Sequence, residues 1–300
     1  VLKIASSPIY CHPLPNGHKF PMEKYDLLPQ QLLYEGTVTQ ENFFKPQPVS
    51  EEIILKTHDS SYFSKLKNLQ LTPREQRKTG FPHSKELIER EITIMGGTLQ
   101  AAKYAIQHGI AFNIAGGTHH AFSNRGEGFC LLNDIAISAN QLLKLGLVKK
   151  VLVVDLDVHQ GNGTAEIFQN NPFVFTFSMH CKNNYPLHKE VSDLDIELLD
   201  GIDDKSYLKL LTENLPQIID KVEPDFIFYQ CGVDVLKTDK LGKLGLTLNG
   251  CKERDRFVLN QAHQKSIPLM ASMGGGYSEK IADIVDAHAN TYRLAQEIYF

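Results

Sequence analysis

The chain has 300 residues, 42% hydrophobic and 22% charged, with a formal net charge of −4. That length and mix suit a globular protein with a substantial core. They leave no basic field to attract nucleic acid directly, and no run approaches the roughly 18 apolar residues of a membrane span.

The start, VLKIASSPIYCHPLP, places prolines where a secretory signal needs an apolar run, so a cytoplasmic protein is expected. The chain begins at Val1, and any targeting segment ahead of it would lie outside this sequence. The five cysteines, Cys11, Cys130, Cys181, Cys231 and Cys251, are odd in number and contain no C-x-x-C pair. They read as free thiols in a reducing compartment rather than a disulfide framework or a thiolate metal site. Through residue 90, prolines at 8, 13, 15, 21, 29, 46, 48, 73 and 82 break the chain too often for long regular elements. EKYDLLPQQLLYEG and SSYFSKLKNL read as short helices within loops that decorate a core formed later. With no internal repeat and no composition break, residues 1–300 read as one domain.

From about residue 90 the pattern changes. EREITIMGGTLQAAKYAIQHG has apolar residues at helical spacing and stops at Gly109. Five short apolar runs follow: IAFNIAG (110–116), KVLVVDL (150–156), FVFTFSM (173–179), DFIFYQCG (225–232) and PLMASMGG (268–275). Helical segments LNDIAISANQLLKLG, KSYLKLLTENLPQIIDK and NGCKERDRFVLNQAHQKS lie between them. Strands alternating with helices predict an α/β fold with a parallel sheet covered on both faces. Such sheets bind ligands beyond the carboxyl ends of their strands. Here those ends read GGTHHAF, DLDVHQGNG, SMHCKNNY, QCGVDVL and MGGGYS. Titratable groups gather at the same end of every run.

In Asp155-Leu-Asp157-Val-His159 the polar residues fall at i, i+2 and i+4, on one face of an extended segment. Solvated strand-end carboxylates are the bland alternative, but carboxylate and imidazole together are suitable zinc ligands. Asp234 ends another run. Alone it would read as a helix cap, whereas beside Asp157 and His159 it completes a three-ligand site with a position open to substrate. The His119-His120 pair is by itself a weak signal, yet histidine is the side chain best poised as a base near neutral pH. Asp155, if not a ligand, is free to orient one imidazole, and Asn162 the other. Gly274-Gly275-Gly276-Tyr277 is either a flexible turn with a packed ring or a device that brings a phenol to a developing oxyanion.

The ordered motifs GGTHHAF, GEGFCLLND, VDLDVHQGNGT, QCGVD and GGGY span residues 115–277 and resemble the histone deacetylase family. LPNGHKFPMEKY and THDSSY extend the likeness, which is greatest to the class IV deacetylases and their bacterial kin. The resemblance implies a single-domain arginase/deacetylase fold with a mainly parallel, roughly eight-stranded sheet. It implies Zn²⁺ on Asp157, His159 and Asp234, a donor set that also suits Fe²⁺. It assigns catalysis to His119, His120 and Tyr277, with Asp155 orienting the first histidine. It lines an acyl-lysine tunnel with Gly128, Phe129, Gly275 and, on the opposite wall, Tyr185, with Leu241 at the rim. It implies a structural K⁺ or Na⁺ held by backbone carbonyls of Asp155, Asp157 and His159 with Ser178 and Met179.

Two departures stand out. Asn162 replaces the Asp of many relatives, which predicts a lower pKa for His120. The acidic rim residue that grips substrate backbone in some relatives has no Asp counterpart in FPHSKELIER. The implied reaction is metal-dependent hydrolysis of an acyl-lysine in a protein or peptide, with acetyl or longer chains. The alternative is an acylated small amine such as an acetylpolyamine. An arginase-like second metal would need carboxylates where Gly161 and Gly232 stand, and a non-catalytic binding module would be expected to lack a ligand or the tyrosine. Nothing in the sequence sets an oligomeric state.

Overall fold

A computed structural model describes all 300 residues, Val1–Phe300. Eight strands form one sheet, and every pairing in it is parallel. In chain order they are β1 (Lys3–Ala5), β2 (Phe43–Phe44), β3 (Ile110–Asn113), β4 (Val151–Asp155), β5 (Val174–Cys181), β6 (Leu194–Leu198), β7 (Phe226–Gln230) and β8 (Leu269–Ser272). Their order across the sheet is β2-β1-β3-β8-β7-β4-β5-β6. The chain winds outward from β4 through β5 to β6, then returns to insert β7 and β8 between β4 and β3. The winding therefore reverses between β4 and β7, and the crevice beyond their carboxyl ends is where an open parallel sheet binds ligands.

The five apolar runs correspond to β3, β4, β5, β7 and β8. Every residue of β3, β4, β7 and β8 is buried, which is why these runs are continuously apolar rather than alternating. Three strands lie outside the predicted set. β6, LDIEL, is an edge strand whose partly exposed face carries charge. β1 and β2, three and two residues long, come from the Pro-rich start, so the first ninety residues supply part of the sheet itself.

Ten α-helices complete the fold: α1 (Lys24–Tyr34), α2 (Glu51–Ile54), α3 (Ser60–Lys67), α4 (Pro73–Thr79), α5 (Lys85–His108), α6 (Asp134–Lys144), α7 (Asn162–Phe168), α8 (Asp204–Val222), α9 (Leu248–Gln264) and α10 (Ile281–Tyr299). Local chemistry sets their ends. Side chains of Ser84, Asn133, Asp203 and Thr247 accept hydrogen bonds from the first turns of α5, α6, α8 and α9, satisfying backbone donors that a helix leaves unpaired. Gly109 ends α5 in a positive-φ conformation, as its position after the last apolar residue predicted. The helix over 281–299 lies outside the predicted elements.

One buried contact ties the sheet to the loops above it. Arg254 of α9 is fully buried beside Asp255. Its guanidinium donates to the carbonyls of Leu156 (3.0 Å), Gly232 (2.7 Å) and Cys231 (3.3 Å). These carbonyls immediately precede or closely approach Asp157 and Asp234, so one planar, multiply donating cation pins both loops.

Candidate active site

Four adjacent strands, β3, β8, β7 and β4, deliver the polar residues to one crevice. His119 and His120 follow β3, Tyr277 follows β8, Asp234 follows β7, and Asp157 and His159 follow β4. One donor atom from each of Asp157, His159 and Asp234 lies within 4.8 Å of the others. His159 Nδ1 is 3.0 Å from Asp157 Oδ1 and 3.2 Å from Asp234 Oδ2.

The outer carboxylate oxygens are held by backbone: Asp157 Oδ2 accepts from Gly275 N–H at 3.0 Å, and Asp234 Oδ1 from Val158 N–H at 3.0 Å. Asp234 Oδ2 is buried and accepts no hydrogen bond, which is costly unless it meets a cation. Burial and the neighbouring Asp157 charge push Asp234 up to about 7. Burial opposes a charged His159, yet its hydrogen bond to Asp157 and the close approach of the Asp234 carboxylate lift its pKa to about 10. The cluster therefore demands positive charge at its centre, and its hard oxygens with one imidazole fit a divalent transition metal. Gly161 and Gly232 offer no side-chain ligand to a second metal, and a side chain at either would collide with its neighbours. A Cβ on Gly161 would sit 2.3 Å from Asp155 Oδ2, and one on Gly232 would sit 2.2 Å from Asp157 Oδ2.

The tandem histidines are buried and held differently. His119 Nδ1 lies 2.7 Å from Asp155 Oδ2, and His120 Nδ1 lies 2.6 Å from Asn162 Oδ1. Burial lowers both pKa values, but for His119 the charges of Asp155 and Asp157 outweigh it and raise the group to about 9. His120 has only a neutral amide. Burial, then repulsion from His119 and His159, drives it well below the ordinary histidine range. Two adjacent imidazoles are thus pushed in opposite directions. Because Asn162 Oδ1 accepts a hydrogen bond, His120 carries its proton on Nδ1 and keeps a lone pair on Nε2.

The cavity over the cluster measures about 450 Å³. Gly128, Phe129, Tyr185, Leu241 and Gly275 all line it. Tyr185 meets the His120 ring edge-on at 5.0 Å between centroids, and its hydroxyl donates to Glu127 Oε2 at 2.7 Å. Tyr277 packs against Phe20 and Phe129, each 5.9 Å away. Burial, reinforced by the charges of Asp234 and Asp157, raises its pKa well above the ordinary phenol value, so it remains a donor. Asp155 pairs with Ser178 in the β4–β5 ladder, and Met179 is the next residue of β5. The chain segment 155–159 and Ser178–Met179 are thereby neighbours.

The cavity also uses residues to which the sequence motifs gave no role, some of them within LPNGHKFPMEKY. Phe20, Tyr25, Lys78, Phe81 and Arg90 come from the first ninety residues. Beside them, Lys24 is fully buried, donates from Nζ to Gly274 O at 3.2 Å, and stands 5.5 Å from the Tyr277 ring centroid. Burial lowers its pKa to about 8 against the pull of Asp234 and Asp157. Asp134, buried at the start of α6, accepts from Gly117 N–H (3.0 Å), Thr118 N–H (2.8 Å) and the hydroxyls of Thr98, Thr118 and Ser272. It fixes the turn that presents His119 and His120. The five cysteines are all free, and no helix is long and apolar enough to cross a membrane.

Comparison with known proteins agrees with this geometry. The family profile described as Histone deacetylase domain matches residues 18–292. An uncharacterized protein of Picosynechococcus sp. is 44% identical over 292 residues, covering 97% of each chain. Histone deacetylase 2 of Arabidopsis thaliana is 29% identical over 285 residues, covering 89% of this chain and 72% of its own. Among solved structures, an HDAC homolog complexed with SAHA superposes with a TM-score of 0.84 at 25% identity, over 97% of this chain and 82% of that one. The HD domain of HDA15 shares the fold, with a TM-score of 0.81 at 19% identity over 96% and 89% of the two chains.

Proposed function

This chain belongs to the histone deacetylase family, and on that footing we propose that it hydrolyses N-acyl lysine amides in proteins or peptides, releasing a carboxylate and the free amine. The observation that carries the reading is the contrast between His120 and His119 beside a buried Asp157–His159–Asp234 cluster. A zinc ion held by those three residues would polarise the acyl carbonyl and lower the pKa of water from about 15.7 toward 7; Fe²⁺ suits the same donors.

The chain's own residues supply the rest. His120 is neutral, and its Nε2 lone pair takes a proton from the attacking water and returns it to the leaving amine. Burial first, and then the charge of His119 held by Asp155, keep the pKa of His120 low. Tyr277 donates its phenolic hydrogen to the carbonyl oxygen as that atom becomes anionic. Gly128, Phe129 and Tyr185 guide the acylated side chain, with Leu241 at the rim. Backbone carbonyls of Asp155, Asp157 and His159, beside Ser178 and Met179, suit a structural K⁺ or Na⁺. Five free thiols fit the cytoplasm expected for the chain.

The cavity mouth favours this substrate over a cationic polyamine. Lys78 and Lys243 line the cavity, and its only lining carboxylates are Asp157 and Asp234. Nearby Glu127 is already engaged by Arg125 (2.8 Å), Tyr185 (2.7 Å) and Lys78 (3.7 Å). A free polyamine therefore meets positive charge with no acid left to receive it.

The test is a panel of acyl-lysine peptides and acetylated polyamines, assayed with and without a chelator. Chelator-sensitive turnover of the peptides is expected, and no turnover on any member of the panel would sink the reading. A second expectation concerns Asn162. In Asn162→Asp a carboxylate stabilises the His120 imidazolium, so the His120 pKa rises. The base is then lost at a higher pH as the solution is acidified, and the acidic limb of kcat/KM moves to higher pH. A limb that stays in place or moves the other way removes His120 from the role of base.

A further inference from the structure

Asp239 lies in the loop after β7, five residues beyond Asp234, where the sequence DKLGKLG reads as a solvated turn. Its carboxylate is instead half-buried and fully engaged. Oδ1 accepts from the backbone N–H groups of Leu241 and Gly242, both at 2.8 Å, and Oδ2 accepts from the N–H of Tyr277 at 2.6 Å. Two further contacts run alongside: an antiparallel bridge between Asp239 and Ser278, and a hydroxyl pair between Thr238 and Ser278 at 2.9 Å.

Each arm reaches a different part of the cavity. The Oδ2 arm holds the backbone of the phenol-bearing residue. The Oδ1 arm closes the turn that carries Leu241, whose carbonyl accepts from Asn184 Nδ2 at 2.6 Å on the wall shared with Tyr185. Gly242 rests so close to the backbone of Asp234 that a Cβ there would lie 1.9 Å from the Asp234 carbonyl oxygen. The other side of the Tyr277 turn is tied down independently, through Val233 N–H to Gly275 O at 2.8 Å and Gly275 N–H to Asp157 Oδ2 at 3.0 Å. Without the Asp239 carboxylate, the turn keeps its hold on the metal-ligand side and its contacts at Ser278, but the N–H of Tyr277 itself loses its partner.

We propose that Asp239 is a positioning residue for the reaction: its carboxylate, clamping Tyr277 N–H and the Leu241–Gly242 turn together, sets where the Tyr277 hydroxyl stands over the substrate carbonyl. This rests on the deacylase reading of the site. Misplacing a reacting group by about 1 Å can cost up to roughly 100-fold. A clamp that acts through the backbone on one of several groups is assigned a loss of about tenfold in kcat on that scale.

The test uses the full-length metal-loaded protein and Asp239→Asn. An asparagine oxygen still accepts from Leu241 and Gly242, but its NH₂ then faces the Tyr277 N–H, donor against donor. Expected are a kcat lower by about tenfold, a KM within about twofold of wild type, unchanged metal stoichiometry, and faster hydrogen exchange in residues 274–278. The double variant D239N/Tyr277→Phe is expected to match Tyr277→Phe alone, because the hydroxyl being positioned is already absent. Asp239→Glu, which keeps the charge and displaces the oxygens, serves as a second variant with the same expected kcat loss. Wild-type kcat in either variant overturns the proposal, as does a full additional loss in the double variant, which marks a merely structural role. An inactive wild-type protein sinks the deacylase reading and this proposal together, whereas an active wild type with a normal Asp239→Asn sinks this proposal alone.

Discussion

Replacing Tyr277 with Phe is expected to lower kcat by about 100- to 1000-fold, the usual cost of removing one oxyanion donor, while the protein keeps its metal. The substitution is clean because it deletes a single oxygen. The ring keeps its packing against Phe20 and Phe129, and the backbone N–H of residue 277 keeps its bond to Asp239. None of the three candidate metal ligands is touched. In the native protein, burial and the charges of Asp234 and Asp157 hold the phenol protonated, so across ordinary pH it keeps the hydrogen it donates. The deficit should therefore persist at every pH where the enzyme turns over. Single-turnover rates with parallel metal analysis check this. A metal-replete Tyr277→Phe protein within about tenfold of wild type, well short of the loss expected for an oxyanion donor, would remove Tyr277 from that role.

Asp157→Ala is expected to lose metal and turnover together. Asp157 is buried, and its carboxylate faces His159 on one side while accepting from Gly275 N–H on the other. Truncation removes a proposed ligand and also strands the buried N–H groups of Gly275 and His159, at a cost of about 1–3 kcal/mol each. The loss of metal affinity should exceed the roughly 10- to 100-fold that follows removal of a mere outer-shell partner. A partial compensation works in the opposite direction: without the Asp157 charge, Asp234 ionises more readily, since Asp157 is one of the causes of its raised pKa. That relief improves one remaining ligand and does not replace the missing one. Equilibrium dialysis against zinc, with kcat measured on the same samples, distinguishes this variant from Tyr277→Phe. Full metal occupancy in Asp157→Ala would discard the ligand set.

Parts of this architecture are legible in the sequence for definite physical reasons. A strand covered on both faces is apolar along most of its length, and β3, β4, β7 and β8 announce themselves that way up to their polar last residues Asn113, Asp155, Gln230 and Ser272. Parallel strands deliver their carboxyl ends to one side, so GGTHH, DLDVH, QCGVD and GGGY had to converge once the sheet was parallel. β6 escapes notice because an edge strand packs less and keeps its charges, as Asp195 and Glu197 do. β1 and β2 are too short for any periodicity to register. Lys24 is harder still. Its neighbours in sequence, Glu23 and Asp26, suggest a solvated helix start, and its burial is imposed by aromatic rings and a glycine carbonyl 250 residues away in the chain. Asp134 and Asp239 likewise look like an ordinary helix start and an ordinary turn. Their roles depend on which backbone N–H groups the finished fold brings to them, and no local pattern encodes that.

The split between sheet-borne and loop-borne residues has an evolutionary meaning. The groups proposed to face the metal and handle protons sit at the ends of central strands, tied down by Arg254 and the sheet ladder. Much of the cavity wall, including Phe20, Tyr25, Lys78 and Phe81, belongs to the Pro-rich first ninety residues. Descent with modification can therefore act on two separable inheritances. A change in that wall would alter which substrates fit, while the strand-end groups proposed for the reaction stay in place.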